Sequence, residues 1–321
     1  MMFTPIRVLK AVLRRYRVQK GDFVPGTLGK DRYQVQITVF VPGTFTRQCH
    51  KALIESPPMN PSLLITATFL LYGLATLFQY LDLKGNQQRF KLWISVFAVT
   101  ALVLHAWLLH HWIDVRGGQN LSFFNMLSLS CWLIALLLVL LNWLRSLEVL
   151  CLLIFPLAAL SVLAAYLFPG FELINTAASP AILIHVVLAV LSFGVLCIAG
   201  LQAVLLILVE RVLKARHWGF QWRMPPVQSM ERFLFQSIWL GFILLSLVLI
   251  SSVYSYHREL LLGGALLQKT LLASLAWVVF AMLLLGHRVW GWRGRRVTLG
   301  TLGGILILVG AYVGTKFIWK I

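Results

Sequence analysis

The feature of this sequence that most constrains its fold is a series of eight long apolar runs. An α-helix needs about 20 mostly apolar residues to cross a hydrocarbon core about 30 Å thick, and each run reaches that length. The runs are continuous rather than alternating, which favours helices over the strands of a membrane barrel. The sequence therefore predicts an all-α, polytopic transmembrane helix bundle of about eight spans, over residues 62–82, 92–112, 123–144, 149–168, 181–209, 232–254, 267–287 and 298–319.

The composition of the chain agrees with a membrane location. Of its 321 residues 60% are hydrophobic and 12% are charged, whereas a soluble domain carries about 25% charged residues. The chain has 28 Lys and Arg against 10 Asp and Glu, an excess that loops on the cytoplasmic side of a membrane protein explain. The lipid bilayer is therefore the expected partner and nucleic acid is not. Carboxylates are nearly absent from the spans, which disfavours a proton pump or a cation transporter.

The basic residues also predict an orientation. Loops on the cytoplasmic side of a membrane protein carry an excess of Lys and Arg. Most of the basic residues here follow the first, third, fifth and seventh spans. We therefore expect that face to be cytoplasmic and both ends of the eight-span unit to lie outside. The residues on that face are Lys84, Arg89, Lys91, Arg145, Arg211, Lys214, Arg216, Arg223, Arg232, Arg288, Arg293, Arg295 and Arg296.

The first 58 residues conflict with this orientation. They hold 10 Lys and Arg against 3 Asp and Glu and contain no long apolar run, and a short basic segment resists export. Three interpretations follow: upstream translation with Met59 as the start, which is favoured; a soluble extension; or a wrong topology. The predicted organisation is a basic N-terminal extension over 1–58, which the favoured interpretation leaves out of the mature protein, and an eight-span membrane domain over 59–321.

Histidines are the main candidates for chemistry within the membrane. Ionisable residues inside spans are costly and are often functional, and a neutral imidazole is a good iron ligand. The alternative is that a histidine near a span end anchors it at the interface. That alternative is favoured for His110 and His111, beside Trp112, while for His185 both interpretations stay open. The histidines in or beside spans are His105, His110, His111, His185, His257 and His287.

Glycines in the last span predict close packing against a neighbouring helix. Small residues let helix backbones approach one another in a membrane. The residues concerned are Gly303, Gly304 and Gly310.

Several stretches, in this order and spacing, resemble one known family. Residues 118–129 resemble an outer segment before a span, and residues 179–185 followed by 192–194 resemble a helix with a ligand histidine. The stretch from Lys269 through His287 to the basic residues 291–296 resembles a further span and its loop. Together they are similar to the CcsA-type cytochrome c assembly family, and most of all to its branch of small eight-span inner-membrane proteins (YpjD-like or HemX-like). The resemblance covers residues 59–321, so the eight-span unit is predicted to be a cytochrome c assembly-like membrane domain.

The resemblance implies a haem-handling protein of the bacterial inner membrane. Members of the family bind haem in the membrane and present it at the outer face for attachment to apocytochrome c. His185 matches an outer-face ligand of the haem iron and His287 an intramembrane histidine. His105 is a loose candidate for the partner of His287, and His257 or the His110/His111 pair for the partner of His185. The implied partners are other membrane proteins of cytochrome c assembly or haem metabolism.

Two departures from the family pattern limit what the resemblance implies. Residues 260–268 contain neither Trp nor Asp where the family has its WWD signature, and no histidine stands near residues 309–316, where a second outer-face ligand is expected. We therefore expect haem binding or regulation of haem metabolism rather than haem ligase catalysis. The alternative is a haem-free membrane scaffold or regulatory subunit that retains the fold, in which His185 makes a hydrogen bond between helices.

Overall fold

A computed structural model describes residues 61–85, 90–115, 118–145, 147–174, 180–214, 226–262 and 265–318 of the protein. In this part of the chain each predicted span corresponds to one helix. The helices are α1 (Pro61–Gly85), α2 (Lys91–Ile113), α3 (Phe123–Leu144), α4 (Glu148–Leu167), α5 (Pro180–Lys214), α6 (Val227–Leu262), α7 (Ala265–Trp290) and α8 (Arg295–Ile318).

Seven of these helices, α1 to α7, are long and apolar enough to cross a membrane within the described ranges. Helix α8 has 24 residues and begins with Arg295 and Arg296; it is not among the seven. The prediction of an all-α polytopic bundle is confirmed. The orientation of the bundle in the membrane stays a prediction, as does the division at residue 58, which falls outside the described residues.

The eight helices pack as two groups of four. In the first group α1 packs on α2 and α4, and α3 packs on the same two helices. In the second group α5 packs on α6 and α8, and α7 packs on the same two helices. Contact between α3 and α5 joins the groups. The buried apolar side chains of the two groups form one continuous core. Large apolar side chains on the outer faces remain exposed, as expected where the solvent is hydrocarbon.

A small antiparallel sheet covers one end of the first group, which we call the sheet end. Its strands are β1 (Asp114–Val115), β2 (Gly118–Asn120) and β3 (Leu173–Ile174), in the order β1-β2-β3. The register pairs Asp114 with Gln119 and Asn120 with Leu173. The opposite end, at the loops predicted to be cytoplasmic, we call the basic end.

Two asparagines hold the sheet to the helices. Asn120, 5% exposed, donates from Nδ2 to the carbonyl of Gly170 (3.1 Å) and accepts at Oδ1 from the backbone N–H of Glu172 (2.9 Å). Asn125 donates from Nδ2 to the carbonyls of Trp112 and Asn120, both at 3.2 Å. The segment 118–129 thus serves to close the sheet end, because these bonds satisfy buried backbone groups that leave the helices.

The prediction of close packing at the glycines of α8 holds at one position and is wrong at two. A Cβ at Gly304 would lie 2.8 Å from the Phe280 ring of α7, whereas a Cβ at Gly303 or Gly310 would meet nothing within 4 Å among the described residues. The physical reason is the helical period, since positions one and six residues away from Gly304 face other directions. A further close approach comes from Gly300, against Leu283.

Candidate functional site

His287 lies near the end of α7, and its ring is oriented by the turn that follows. Its Nδ1 lies 2.9 Å from the backbone carbonyl oxygen of Trp292. A carbonyl only accepts, so Nδ1 carries the proton and, in the neutral ring, Nε2 carries the lone pair. The ring of Phe235 from α6 stacks on the imidazole, with centroids 3.6 Å apart and planes at 23°. No described residue forms a hydrogen bond with Nε2.

Two glycines, Gly286 and Gly291, allow the turn after α7 that brings the Trp292 carbonyl to the His287 ring. Gly291 has φ +63°, a left-handed conformation that ends the helix without a Cβ penalty. The chain then folds back, and the N–H of Trp292 donates to the carbonyl of Gly286 (3.1 Å). The indole lies so close to Gly286 that a Cβ there would overlap it. Residues 291–296, recognised in the sequence as a motif, therefore fix the position of the His287 ring.

His185 is half-buried on α5 and is oriented by a hydroxyl on α6. Its Nδ1 lies 2.8 Å from Ser251 Oγ. The single hydroxyl proton of Ser251 is donated to the carbonyl of Val248 (2.9 Å), so Oγ accepts from Nδ1–H of His185. The imidazole proton is again on Nδ1, and Nε2 is again the basic nitrogen. Metal-binding histidines usually have this arrangement, with one N–H donated to a fixed oxygen.

His185 and His287 belong to two separate positions in the second group. The α6 residues that contact them, Ser251 and Phe235, are separated by about 24 Å of helix rise. One iron atom binds two axial nitrogens within a few ångströms, so it cannot bind both histidines. His185 is near the start of α5, on the sheet side, and His287 is near the basic end.

His105 is fully buried in the first group, where both of its ring nitrogens have partners. Nδ1 lies 3.1 Å from the Tyr72 hydroxyl on α1, and Nε2 lies 2.9 Å from Ser128 Oγ on α3. A neutral imidazole has one N–H and one bare nitrogen, so it donates one of these bonds and accepts the other. An iron ligand role would break one of them. His287 lies in the other helix group, and the suggested pairing of the two stays a prediction that this geometry disfavours.

The other candidate partners lie nearer the sheet end. His257 is on α6 beyond Ser251, and its side chain falls outside what the structure describes. His110 Nδ1 contacts Asp114 Oδ2 at 2.7 Å on the surface. His111 packs edge-on against Trp107, and its Nε2 is buried without a hydrogen-bond partner among the described residues. Within those residues no three His, Cys, Asp or Glu side chains form a metal-binding cluster.

Sequence reasoning missed the residues that orient these histidines. Tyr72, Ser128 and Ser251 read in the sequence as ordinary members of apolar spans, and Trp292 contributes its backbone. A serine or tyrosine inside a span is the one available signal, because a hydroxyl in hydrocarbon needs a partner. The sequence does not show which partner, since that depends on how the helices pack.

The sequence of this chain is similar to those of known membrane proteins. Residues 93–321 match the family model described as Cytochrome C assembly protein. The chain belongs to this family. Inner membrane protein YpjD of Escherichia coli strain K12 is 33% identical over 226 residues, which are 70% of this chain and 85% of that protein. An uncharacterized 28.8 kDa protein in the nifR3-like 5' region of Azospirillum brasilense is 32% identical over 139 residues, 42% of this chain and 50% of that protein. No solved structure matches.

These matches confirm the resemblance seen in the sequence. The chain is a YpjD-like member of the cytochrome c assembly family, and the seven apolar helices together with this relative make it a multi-pass protein of the inner membrane. The protein is therefore embedded in the lipid bilayer. The ligand roles of His185, His287, His105 and His257 stay predictions.

Proposed function

We propose that this protein binds haem within the inner membrane and handles it without ligase catalysis of its own. The observation that carries the proposal is the matched geometry of His185 and His287. Each donates Nδ1–H to an oxygen of its own helix bundle, at 2.8 and 2.9 Å, and so keeps Nε2 as the basic nitrogen. In a family named for cytochrome c assembly, this favours iron ligation over anchoring at the interface.

The residues around the two histidines suit a porphyrin. The porphyrin supplies four ligands to its iron, so one or two axial nitrogens suffice and a cluster of protein ligands is not required. Ile184 and Val187, beside His185, are 58% and 49% exposed, and the Phe235 ring stacks on the His287 imidazole and holds its plane. Bound haem would supply an iron centre for ligation and redox chemistry, while these residues would hold and orient it.

The separation of the two histidines supports a handling role. His185 is proposed as the principal ligand, with His257 on α6 or the His110/His111 pair as its partner at the outer end. His287 is proposed as a second position near the basic end. The partners that give or receive haem would be other membrane proteins of cytochrome c assembly or haem metabolism. The missing WWD signature and the missing histidine near residues 309–316 are the reasons for proposing no ligase activity.

Absorption spectroscopy of the full chain, purified in detergent from a haem-replete host, tests the proposal. The wild-type protein is expected to show a Soret band. His185→Ala and His287→Ala should each weaken or shift it, and the double variant should remove it. Lys84→Ala is the control, because Lys84 is an exposed residue of α1 that belongs to neither proposed haem position. A wild-type protein without a Soret band, or a double variant that keeps it unchanged, would overturn the proposal.

A second pair of variants tests the orientation of His185. Ser251→Ala removes the oxygen that accepts from Nδ1–H, so the haem bound at His185 should bind more weakly or shift its spectrum. Ser246→Ala is the control on the same helix, since Ser246 Oγ instead accepts from Trp277 Nε1 at 2.8 Å. Equal spectra for the two variants would contradict the role given to Ser251.

The alternative is a haem-free scaffold or regulatory subunit. The observation that favours it is His105, a buried histidine of this fold whose two nitrogens are both used in packing. In this case the same preparation would contain a stoichiometric membrane partner and no haem. His185→Ala would then lower the stability of the protein and leave the absorption spectrum unchanged.

A further inference from the structure

A cavity of about 370 Å³ opens at the basic end of the first helix group. It lies between α1, α2, α3 and α4, and no residue of the proposed haem positions lines it. Its volume is within the range of small-molecule sites, about 300 to 1,000 Å³. The polar residues that matter for its chemistry are Gln79, Asp82, Lys91, Asn142, Arg145 and Glu148.

Two largely buried side chains, Gln79 and Asp82, line this cavity and have few hydrogen-bond partners among the described residues. Gln79 is 2% exposed and its amide forms no hydrogen bond with any described residue. Asp82 is 4% exposed, and its carboxylate accepts one hydrogen bond, from the backbone N–H of Phe90 to Oδ1 (3.2 Å). Buried polar groups are costly when unpaired, and a carboxylate more so than an amide. Both offer oxygen acceptors to whatever occupies the cavity.

The two cations that line the cavity are engaged with other residues. Lys91 Nζ pairs with Glu148 Oε1 at 3.3 Å. Arg145 donates from Nη1 to Gln236 Oε1 at 2.6 Å, and its guanidinium lies 5.6 Å from the centroid of the Phe233 ring. Since a guanidinium has five N–H donors, Arg145 is held in place at the cavity rim with donors to spare. The cavity thus has a buried acceptor end and an exposed cationic rim.

We propose that this cavity binds a small zwitterion with a primary ammonium and an anionic group. The ammonium is held by Asp82 and Gln79, because its N–H groups satisfy both oxygens and its charge balances the carboxylate. The carboxylate or phosphate of the ligand is held by Arg145. Gln79 precedes Asp82 on α1 and is deeper in the bundle, so the ammonium enters first from the aqueous side. A free amine-containing metabolite and an aminophospholipid headgroup share this chemistry.

Calorimetric titration of the full chain in phosphatidylcholine nanodiscs tests the proposal. O-phosphoethanolamine is expected to bind, ethanolamine to bind more weakly, and inorganic phosphate alone not to bind. Asp82→Asn and Gln79→Leu should each weaken O-phosphoethanolamine by about tenfold or more. Arg145→Gln should weaken O-phosphoethanolamine and leave ethanolamine unchanged. Lys84→Gln is the control, an exposed cation at the same end of α1 that does not line the cavity.

Asp82→Asn removes a charge and keeps an oxygen that can accept from the Phe90 N–H, and Gln79→Leu replaces an amide by an apolar side chain of similar size, so both variants are expected to fold. Nanodiscs containing phosphatidylethanolamine separate the two sources of the ligand. If the lipid blocks O-phosphoethanolamine binding in these discs, the headgroup is the occupant; if binding persists, a free zwitterion is. Absence of binding by every probe, or wild-type affinity in both Asp82→Asn and Gln79→Leu, would overturn the proposal whatever the haem spectrum shows.

Discussion

Three polar side chains inside this membrane bundle satisfy one another. Tyr72, His105 and Ser128 come from three different helices and are all fully buried. The two hydroxyls bond the two nitrogens of one imidazole, and the tyrosine and histidine rings meet edge to face with centroids 5.8 Å apart. In hydrocarbon no water can replace a missing partner, so the three residues join α1, α2 and α3 as a unit.

Replacing the central imidazole tests this unit. His105→Phe keeps the volume of the ring but leaves the hydroxyls of Tyr72 and Ser128 without their partner. We expect a loss of about 1–2 kcal/mol in the free energy of unfolding, because hydrogen bonds between membrane helices contribute roughly 0.6 to 1.7 kcal/mol each. Thermal unfolding in detergent, followed by circular dichroism, measures it.

His110→Phe is the matched control for this experiment, since His110 is exposed at the surface of the bundle. The unfolding temperature of the His110→Phe variant should stay at the wild-type value. If His105→Phe unfolds at the same temperature as His110→Phe, the three-residue unit does not stabilise the bundle.

Helix pairs in the second group pack closely where a glycine meets a large side chain. Gly304 of α8 receives the Phe280 ring of α7, and Gly241 of α6 receives Leu196 of α5. Such contacts replace the hydrophobic driving force that is absent between helices in lipid, because close backbone approach increases dispersion contact. The helices that carry His185 and His287 are therefore fixed by shape as well as by hydrogen bonds.

Alanine substitutions at two adjacent glycines of α8, Gly303 and Gly304, measure the effect of close packing apart from the effect of helix propensity. Gly304→Ala would place a Cβ 2.8 Å from Phe280, and we expect a loss of about 1–3 kcal/mol because the neighbour must move. Gly303→Ala meets open space and should be neutral or stabilising by up to about 1 kcal/mol, since alanine favours the helix. Unfolding temperatures of the two variants in detergent measure the difference. Equal destabilisation of both would contradict the contact.

The whole molecule divides its polar chemistry between the two helix groups. The second group carries both proposed haem positions, and the first group carries the His105 unit and the cavity with Asp82. The two ends differ as well, because the sheet covers one end and the basic loops lie at the other. This arrangement fits the predicted orientation, with the sheet end outside.

Single cysteines at the two ends, introduced after the four native cysteines are replaced by alanine, test the orientation. Leu173→Cys on β3 and Trp290→Cys at the end of α7 replace side chains that are 43% and 64% exposed. In intact spheroplasts a membrane-impermeant thiol reagent should label the cysteine at 173 and leave that at 290 unlabelled. Permeabilised cells provide the control, in which both should react. The reverse pattern in spheroplasts would show that the basic end faces outward.

The helices of the fold were predictable because each depends on local sequence, whereas the small sheet was not predicted. An apolar run long enough to cross the membrane must form a helix, since only intrahelical hydrogen bonds satisfy its backbone in lipid. His185 and His287 were identified as candidates from their residue type and position. Their orientation was not, because Ser251 and the Trp292 carbonyl reach them through helix packing and a chain reversal. The same limit explains the wrong expectation for Gly303 and Gly310.

By itself the sequence determined that this chain is a membrane bundle and where each of the eight helices of the described residues lies. It also determined which family the chain resembles. It did not determine the helix ends, since α6 begins five residues before the predicted span and ends eight residues after it. Only the tertiary structure decided which polar residues meet. It paired His105 with Tyr72 and Ser128, separated His185 from His287, and enclosed Gln79 and Asp82 in one cavity. The physical reason is that an apolar run depends only on residues that are neighbours along the chain. A hydrogen bond between helices depends instead on the rotation and depth of each helix, which the packing of the whole bundle sets.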